Sequence, residues 1–291
     1  MKHAYGSAPE EKAREQLKVL AYAKLNLVLR IVGKREDGYH LLQSLFCAVD
    51  LADEIQLEPL PRGIELWSSV ELGPPEKNLA YRAAQTLLSQ TDFGVRIVLK
   101  KRIPAGAGLG GGSADAAAVL AGLNTLYNLG KTPDELAKIG AKLGADVPFF
   151  LGRSPAWVEG IGDRVTPVDL ALPAAFLLVI PAFSCPTAAV YQTLDRLGIP
   201  PSPPQGVPKI PPFVNDLWPA SAHLRPELER IRSVLEGIPS LGVGMSGSGS
   251  SLFLAFPSVE EAEWARAELS GRVEAALHVA RPVDRGYKII G

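Results

Sequence analysis

From Leu17 to Ile31 every second side chain is apolar: Leu17, Val19, Ala21, Ala23, Leu25, Leu27, Leu29 and Ile31. That period of two predicts a half-buried strand over residues 17–32. Lys18, Tyr22, Lys24, Asn26 and Arg30 fall between them. The same alternation sets Lys24 and Asn26 on one face about 7 Å apart, where both can reach a single ligand or form a solvated polar face. Further strands are expected at 45–49, 54–57, 64–68 and 95–99, with glycine and proline between them. Helical spacing covers 77–89, and another helix opens at about Ser113 and runs to Leu126. For residues 133–143 the helix signals are complete: Thr132 as N-cap, Pro133 in the first turn, Glu135 closing a capping box and Gly144 as the stop.

In the second half, strands are expected at 156–159 and 175–180, then a helix at 188–197. Residues 200–219 hold eight prolines and read as a surface loop of polyproline character rather than a ligand for a proline-binding module. The chain then alternates again: a strand at 251–256, a helix from Ser258 with a capping box to Glu261, and a strand at 276–280. There is no internal repeat. The expected class is α+β in two lobes.

At 291 residues and 47% apolar content the chain can build two substantial cores. Thirty basic against 31 acidic side chains leave a formal charge of −1, so no global field recruits nucleic acid or a membrane surface, and a small molecule is the expected partner. The longest apolar stretch, 170–183, is interrupted by Pro173 and Pro181 and is too short to span a bilayer. Residues 1–16 lack a signal-peptide core, and Glu10, Glu11 and Glu15 argue against a transit peptide, so they read as a poorly ordered or helical tail. Cys47 and Cys185 match no metal spacing or disulfide framework and are expected as buried thiols in a cytoplasmic protein. His3, His40, His223 and His278 are scattered, and no metal site made by protein side chains is expected.

The densest chemistry lies between Pro104 and Asp115, where residues 106–112 include five glycines and run into an alanine-rich helix. Glycine is used where backbone turns sharply or approaches a ligand closely. Loop amides converging with the positive end of a helix make an anion site, and phosphate is its usual occupant. Gly106, Gly108 and Gly111 satisfy the dinucleotide pattern G-x-G-x-x-G, but the acidic residue expected some twenty positions on is missing, since Asp134 and Glu135 lie in a helix's first turn. No Gly-Lys-Ser/Thr follows, which excludes a Walker A loop. Asp146, in Gly144-Ala145-Asp146-Val147-Pro148, is either a general base or the N-cap of a turn at 147–151. The run 242–251 is a tight turn beside a ligand, a linker or a simple hairpin. Tyr39 and His40 can stack on and hydrogen-bond to a flat base, or pack a turn.

Taken together, Ala23-Lys24-Leu25-Asn26-Leu27, Asp37-Gly38-Tyr39-His40, Gly108-Leu109-Gly110-Gly111-Gly112-Ser113, Gly144-Ala145-Asp146-Val147-Pro148-Phe149-Phe150, Glu159-Gly160-Ile161-Gly162-Asp163 and the Gly-Ser run 244–250 resemble, in order, the superfamily of galactokinase, homoserine kinase, mevalonate kinase and phosphomevalonate kinase. The resemblance extends over residues 21–256, and the first five motifs are most similar to the branch acting on a cytidine diphosphate methylerythritol in the non-mevalonate isoprenoid route. It implies a two-lobed kinase with an ATP-binding lobe at 1–153, a substrate lobe at 154–291 and a cleft between them. It implies transfer of a phosphoryl group from ATP, with Mg²⁺, to the 2-hydroxyl of the methylerythritol unit. Asp146 is then the base and Lys24 its partner. Pro104, Gly106, Gly108, Leu109, Gly110, Gly111, Gly112, Ser113 and Ala114 correspond to the ATP-phosphate loop. Asn26, Tyr39, His40, Thr187, Tyr191, Gly247 and Ser248 correspond to substrate contacts, Tyr39 and His40 to the pair that recognises cytosine. Many relatives carry a second serine where this chain has Ala114, which removes one hydroxyl from the phosphate and magnesium shell. The expected assembly is a monomer or homodimer. The rival readings are another small-molecule kinase of the superfamily, a nonenzymatic nucleotide-binding module and a dinucleotide-dependent dehydrogenase.

Overall fold

The computed structural model describes residues 16–290. Of the expected N-terminal tail, all but Gln16 lies outside the described residues.

The alternating segment forms strand β1, Leu17–Lys34. It pairs antiparallel along its length with β2, His40–Leu60. Two short strands were expected in that stretch; one 21-residue strand is found. The polar gap that divides the pattern, Asp50 to Asp53, is accommodated within the strand, where Asp50 N–H donates to the Arg281 carbonyl and Asp53 is fully buried.

Three register shifts along β1 overturn the expectation of one apolar and one polar face. A bulge adds a residue and turns the side chains that follow it. Val19 and Ala21 pack in one core, Ala23, Leu25 and Leu27 in a second, and Leu29 and Ile31 in a third. Both faces of β1 are buried from Ala23 to Leu29, so Lys24 and Asn26 are only 4% and 3% exposed. They are not a solvated polar stripe.

β2 also pairs with β4, Gly94–Lys100, and β3, Ile64–Ser68, runs parallel to β4. Four strands from later in the chain complete this eight-stranded sheet. β5, Ala156–Gly160, pairs with β2 and with β6, Arg164–Pro167, while β11, Pro282–Val283, pairs with β2 and β12, Tyr287–Ile290, with β1. The expected boundary at 153/154 therefore cuts through the first sheet. β6, β11 and β12 are four, two and four residues long, too short to announce themselves. Every pairing except β3–β4 is antiparallel, which removes the doubly wound parallel sheet that a dinucleotide fingerprint requires.

Helices α1, Leu79–Leu88, α2, Gly111–Leu126, α3, Pro133–Leu143, and α4, Val147–Leu151, cover this sheet. Apolar on all sides and buried from Ala114 to Leu123, α2 is the core helix. The capping box of Thr132 and Glu135 on α3 is present as expected.

The second sheet has the order β10-β7-β9-β8, built from β7, Ala175–Pro181, β8, Gly242–Met245, β9, Leu252–Phe256, and β10, Ala275–Ala280. α5, Thr187–Leu197, α6, Trp218–Leu224, α7, Glu227–Leu235, and α8, Val259–Leu269, pack against its core. A middle core joins the lobes, with Leu25, Leu27 and Leu45 against Phe176, Leu178 and Phe253. The proline-rich segment is pinned rather than loose: Ser202 N–H donates to the Ile31 carbonyl at 2.7 Å and Asp216 N–H to the Leu29 carbonyl at 2.9 Å.

The returning C-terminal segment fits tightly behind α4. A Cβ on Gly286 would stand 2.4 Å from the Phe150 Cα. Gly286→Ala should lower stability by about 2 kcal/mol, since overpacking costs of that order follow when backbone must move. Urea denaturation measures it, and a loss below about 0.5 kcal/mol would mean that the tail is not seated there.

Candidate active site

Three backbone segments meet around β1. Lys24 N–H donates to the Leu109 carbonyl at 2.9 Å, which docks the glycine loop on the strand. Ser246 Oγ donates to the Gly108 carbonyl at 2.9 Å, and Ser251 N–H to the Ala107 carbonyl at 3.1 Å, which docks the Gly-Ser turn on the glycine loop. Two glycines permit this approach. Gly108 has φ +79°, and a Cβ there would stand 2.1 Å from the Ser246 carbonyl oxygen. Gly110 has φ +73° and precedes α2, and its Cβ would meet Phe150 at 2.8 Å and Lys24 Cγ at 3.0 Å. The helix opens at Gly111, two residues before the expected start, so its first turn is itself glycine-rich.

The three segments enclose a cavity of about 440 Å³, within the size range of small-molecule sites. Lys24, Asn26, Pro104, Gly106, Gly108, Leu109, Gly110, Gly111, Gly112, Ser113, Asp146, Thr187, Tyr191, Gly247 and Ser248 all line it. Residues as far apart in the chain as Lys24 and Ser248 thus share one wall. Ala114 does not line it: its methyl is fully buried in the helix core.

Lys24 Nζ lies 3.8 Å from Asp146 Oδ2 and donates to Asn26 Oδ1. Asn26 in turn donates to Ser44 Oγ at 2.9 Å, which orients its amide. The ammonium also stands 4.9 Å from the centre of the Phe46 ring. Burial lowers the Lys24 pKa, and the Asp146 carboxylate opposes that shift. Asp146 occupies the N-cap position of α4 but makes no side-chain cap bond, so its carboxylate is available to the cavity.

Tyr39 and His40 part company. Tyr39 is 61% exposed at the hairpin tip and does not line the cavity. The His40 ring lies 4.9 Å from that of Tyr191, and its Nε2 is 2.8 Å from Asp195 Oδ1, an oxygen pair that also takes Lys34. Burial, reinforced by Asp146, pushes the Tyr191 hydroxyl up to about 12. Thr187 Oγ1 and Ser248 Oγ are 3.0 Å apart.

Some wall residues were not read from the sequence. Leu72, Asn78, Leu79, Lys101, Ile103 and Asp115 extend the cavity beside the glycine loop. Asn215, from the proline-rich segment, donates to the Met245 and Gly247 carbonyls at 2.8 Å each and holds the Gly-Ser turn. Only adjacency to the glycines pointed to Lys101 and Asp115, and no local pattern marked Asn215. Cys47 and Cys185 are buried and free, and burial drives the Cys47 thiol to about 12.

Comparison with known proteins agrees with this geometry. Residues 78–153 match the model of the GHMP kinase N-terminal domain and residues 214–275 that of the GHMP kinase C-terminal domain. A homoserine kinase from Cytophaga hutchinsonii has the same fold, with TM-score 0.70 and 20% identity over 99% of this chain and 100% of that one. Fold and matched domains together define a GHMP kinase. A 4-diphosphocytidyl-2-C-methyl-D-erythritol kinase of Syntrophus aciditrophicus is 40% identical over 92% of this chain and all of its own length. That of Citrifermentans bemidjiense is 43% identical over 88% of this chain and 95% of its own. A crystal structure of 4-(cytidine 5'-diphospho)-2C-methyl-D-erythritol kinase superposes with TM-score 0.77 at 37% identity, covering 91% of this chain and 99% of that one. The chain belongs to the 4-diphosphocytidyl-2-C-methyl-D-erythritol kinase family.

Asp115 gives the site a pH signature. Burial raises its carboxyl to about 7, although the neighbouring Lys101 ammonium pulls the other way. The folded protein therefore holds this proton more tightly than the unfolded chain does. The resulting stabilisation is complete below the ordinary carboxylate range and is lost as pH rises through about 7. Between pH 5 and pH 8, Asp115→Asn should gain stability relative to the wild type by more than about 1 kcal/mol, measured by urea denaturation. Parallel pH profiles for the two proteins would contradict this.

Proposed function

We propose that the protein transfers the γ-phosphoryl group of ATP to the 2-hydroxyl of 4-diphosphocytidyl-2-C-methyl-D-erythritol. The observation that carries the reading is the buried Lys24 ammonium 3.8 Å from Asp146, in the cavity whose wall includes the glycine loop. Asp146 takes the proton of the acceptor hydroxyl as its oxygen bonds to the γ-phosphorus. The bond from that phosphorus to the bridging oxygen breaks, and ADP leaves with the electron pair. Lys24 orients the carboxylate and offsets the charge that builds on the transferring group. Loop amides from Gly106 to Ser113, with the start of α2, hold the phosphates. Asn26, Thr187 and Ser248 offer hydrogen bonds to the acceptor, while Tyr191, on the cavity wall with the His40 ring 4.9 Å from its own, offers a surface for its base.

Mg²⁺ belongs to this reading as an ion carried on the nucleotide. Among the described residues no group of three or more His, Cys, Asp and Glu could hold an ion. When bound it would offset phosphate charge, and no protein ligand is assigned to it. The ATP side comes from residues before 153, and the acceptor side adds Thr187, Tyr191, Gly247 and Ser248. Either a monomer or a homodimer goes with this reading. A cytoplasmic setting goes with this substrate, and among the described residues no helix is long and apolar enough to cross a membrane. A nonenzymatic nucleotide-binding module would have no use for the Lys24–Asp146 pair.

The test is incubation with labelled ATP, Mg²⁺ and, separately, the cytidyl substrate, mevalonate, homoserine and galactose. Label should appear on the cytidyl substrate; label confined to one of the others would overturn the assignment. Asp146→Asn should lower kcat by about a hundredfold or more while leaving ATP affinity within about twofold, the usual scale of a lost general base. An unaltered kcat would remove Asp146 from the chemistry.

A further inference from the structure

The mechanism leaves one buried charged cluster unused. Lys101 Nζ donates to Asp53 and, at 2.7 Å, to Asp115 Oδ2, and all three side chains are at most 8% exposed. The cluster ties three elements together. Asp53 sits on β2, and its Oδ1 also accepts from the backbone amides of Arg102 and Ile103, at 2.5 and 2.8 Å. Lys101 follows directly on β4 and leads into the glycine loop, and Asp115 lies in the second turn of α2, just after that loop. Residues 101–103 and 115 bracket the loop. A Cβ on Gly111 would stand 3.3 Å from Lys101 Nζ, so the ammonium packs against the loop's last turn.

Such an arrangement is costly unless geometry is fixed in return. Burying charges carries a desolvation penalty, and ion clusters of this kind are weak sources of net stability. One ammonium faces two carboxylates here, and Asp115 Oδ1 is buried with no hydrogen-bond partner. The Lys101 ammonium, lowered by burial, is raised further by Asp115 and Asp53, and stays charged. What the cluster does is constrain a loop that has five glycines and little intrinsic stiffness.

We propose that Lys101, gripped between Asp53 and Asp115, is a positioning residue that clamps the two ends of the glycine loop and so presets its amides for ATP phosphates. The clamp rests on the reading of that loop as the ATP site, but its effect on the loop exists in the free protein. Free loop amides then need no further ordering when the nucleotide arrives, and affinity is gained by cutting that ordering cost.

Asp115→Ala is the informative variant, because it cuts the tie at the helix end yet leaves Lys101 paired one-to-one with Asp53. Hydrogen exchange in the nucleotide-free protein should rise about tenfold at loop amides 106–112, the scale expected when a charge-assisted tie is lost, with α3 and α8 unchanged. KM for ATP should rise by about tenfold, with kcat and the acceptor KM within about threefold. At pH 8, where Asp115 is ionised, Asp115→Asn, which can still accept from Lys101, should fall between the wild type and Asp115→Ala in both readouts, as a neutral bond replaces a charge-assisted one. Unchanged loop exchange in Asp115→Ala would overturn the clamp. So would a raised KM with wild-type exchange, the result expected if the cluster touched the nucleotide directly. Exchange that rises in a protein showing no saturable use of ATP would support the clamp and defeat the ATP reading instead.

Discussion

A lysine ammonium held out of water beside a carboxylate is the constraint around which this molecule is arranged. Desolvation alone would drive Lys24 toward its neutral form, and Asp146, 3.8 Å away, opposes it. The pair does not stand alone: Asn26 accepts from the ammonium, Ser44 fixes Asn26, and the Phe46 ring lies beneath. The partners come from two places in the fold. Lys24, Asn26, Ser44 and Phe46 come from the β1–β2 ribbon, and Asp146 from the junction of α3 and α4.

Backbone, more than side chain, brings the remaining parts to that pair. From Ala23 to Leu29 both faces of β1 are covered, and the glycine loop docked through the Leu109 carbonyl lies over the face that carries Lys24 and Asn26. Gly108 and Gly110 then allow the glycine loop, the Gly-Ser turn and Phe150 to close on β1 at distances no side chain would tolerate. Asn215 locks the Gly-Ser turn from the proline-rich side. The lobes are therefore stitched at the site itself, in addition to the apolar layer of Leu25 and Leu27 against Phe176 and Phe253.

Much of this was legible in the residues, for identifiable reasons. Strong period-two alternation announced β1, a capping box announced α3, and five glycines announced a tightly turned loop opening an alanine-rich helix. Lys24, Asp146, Asn26, Thr187, Tyr191 and Ser248 share the cavity with that loop, whereas Tyr39 and His40 are not on its wall and Ala114 packs inside the helix core. Other features have no local signature. The glycine loop that covers Lys24 lies some eighty residues further on, so the burial of Lys24 could not be read from alternation. β2 looked like two strands because Asp53 is buried by partners from residues 101–103, far away in the chain. Asn215 sat in a segment whose prolines suggested surface, and β12 was too short to be seen before β1 supplied its edge.

The most direct test of the central claim is a crystal structure of the complex with a non-transferable ATP analogue and the cytidyl acceptor. The account predicts the reacting hydroxyl oxygen within about 3.2 Å of an Asp146 carboxylate oxygen, with Lys24 Nζ adjoining both it and the γ-phosphate, the distance proton transfer demands. An acceptor whose hydroxyl instead meets another carboxylate, or lies outside the cavity lined by Lys24 and Asp146, would contradict it.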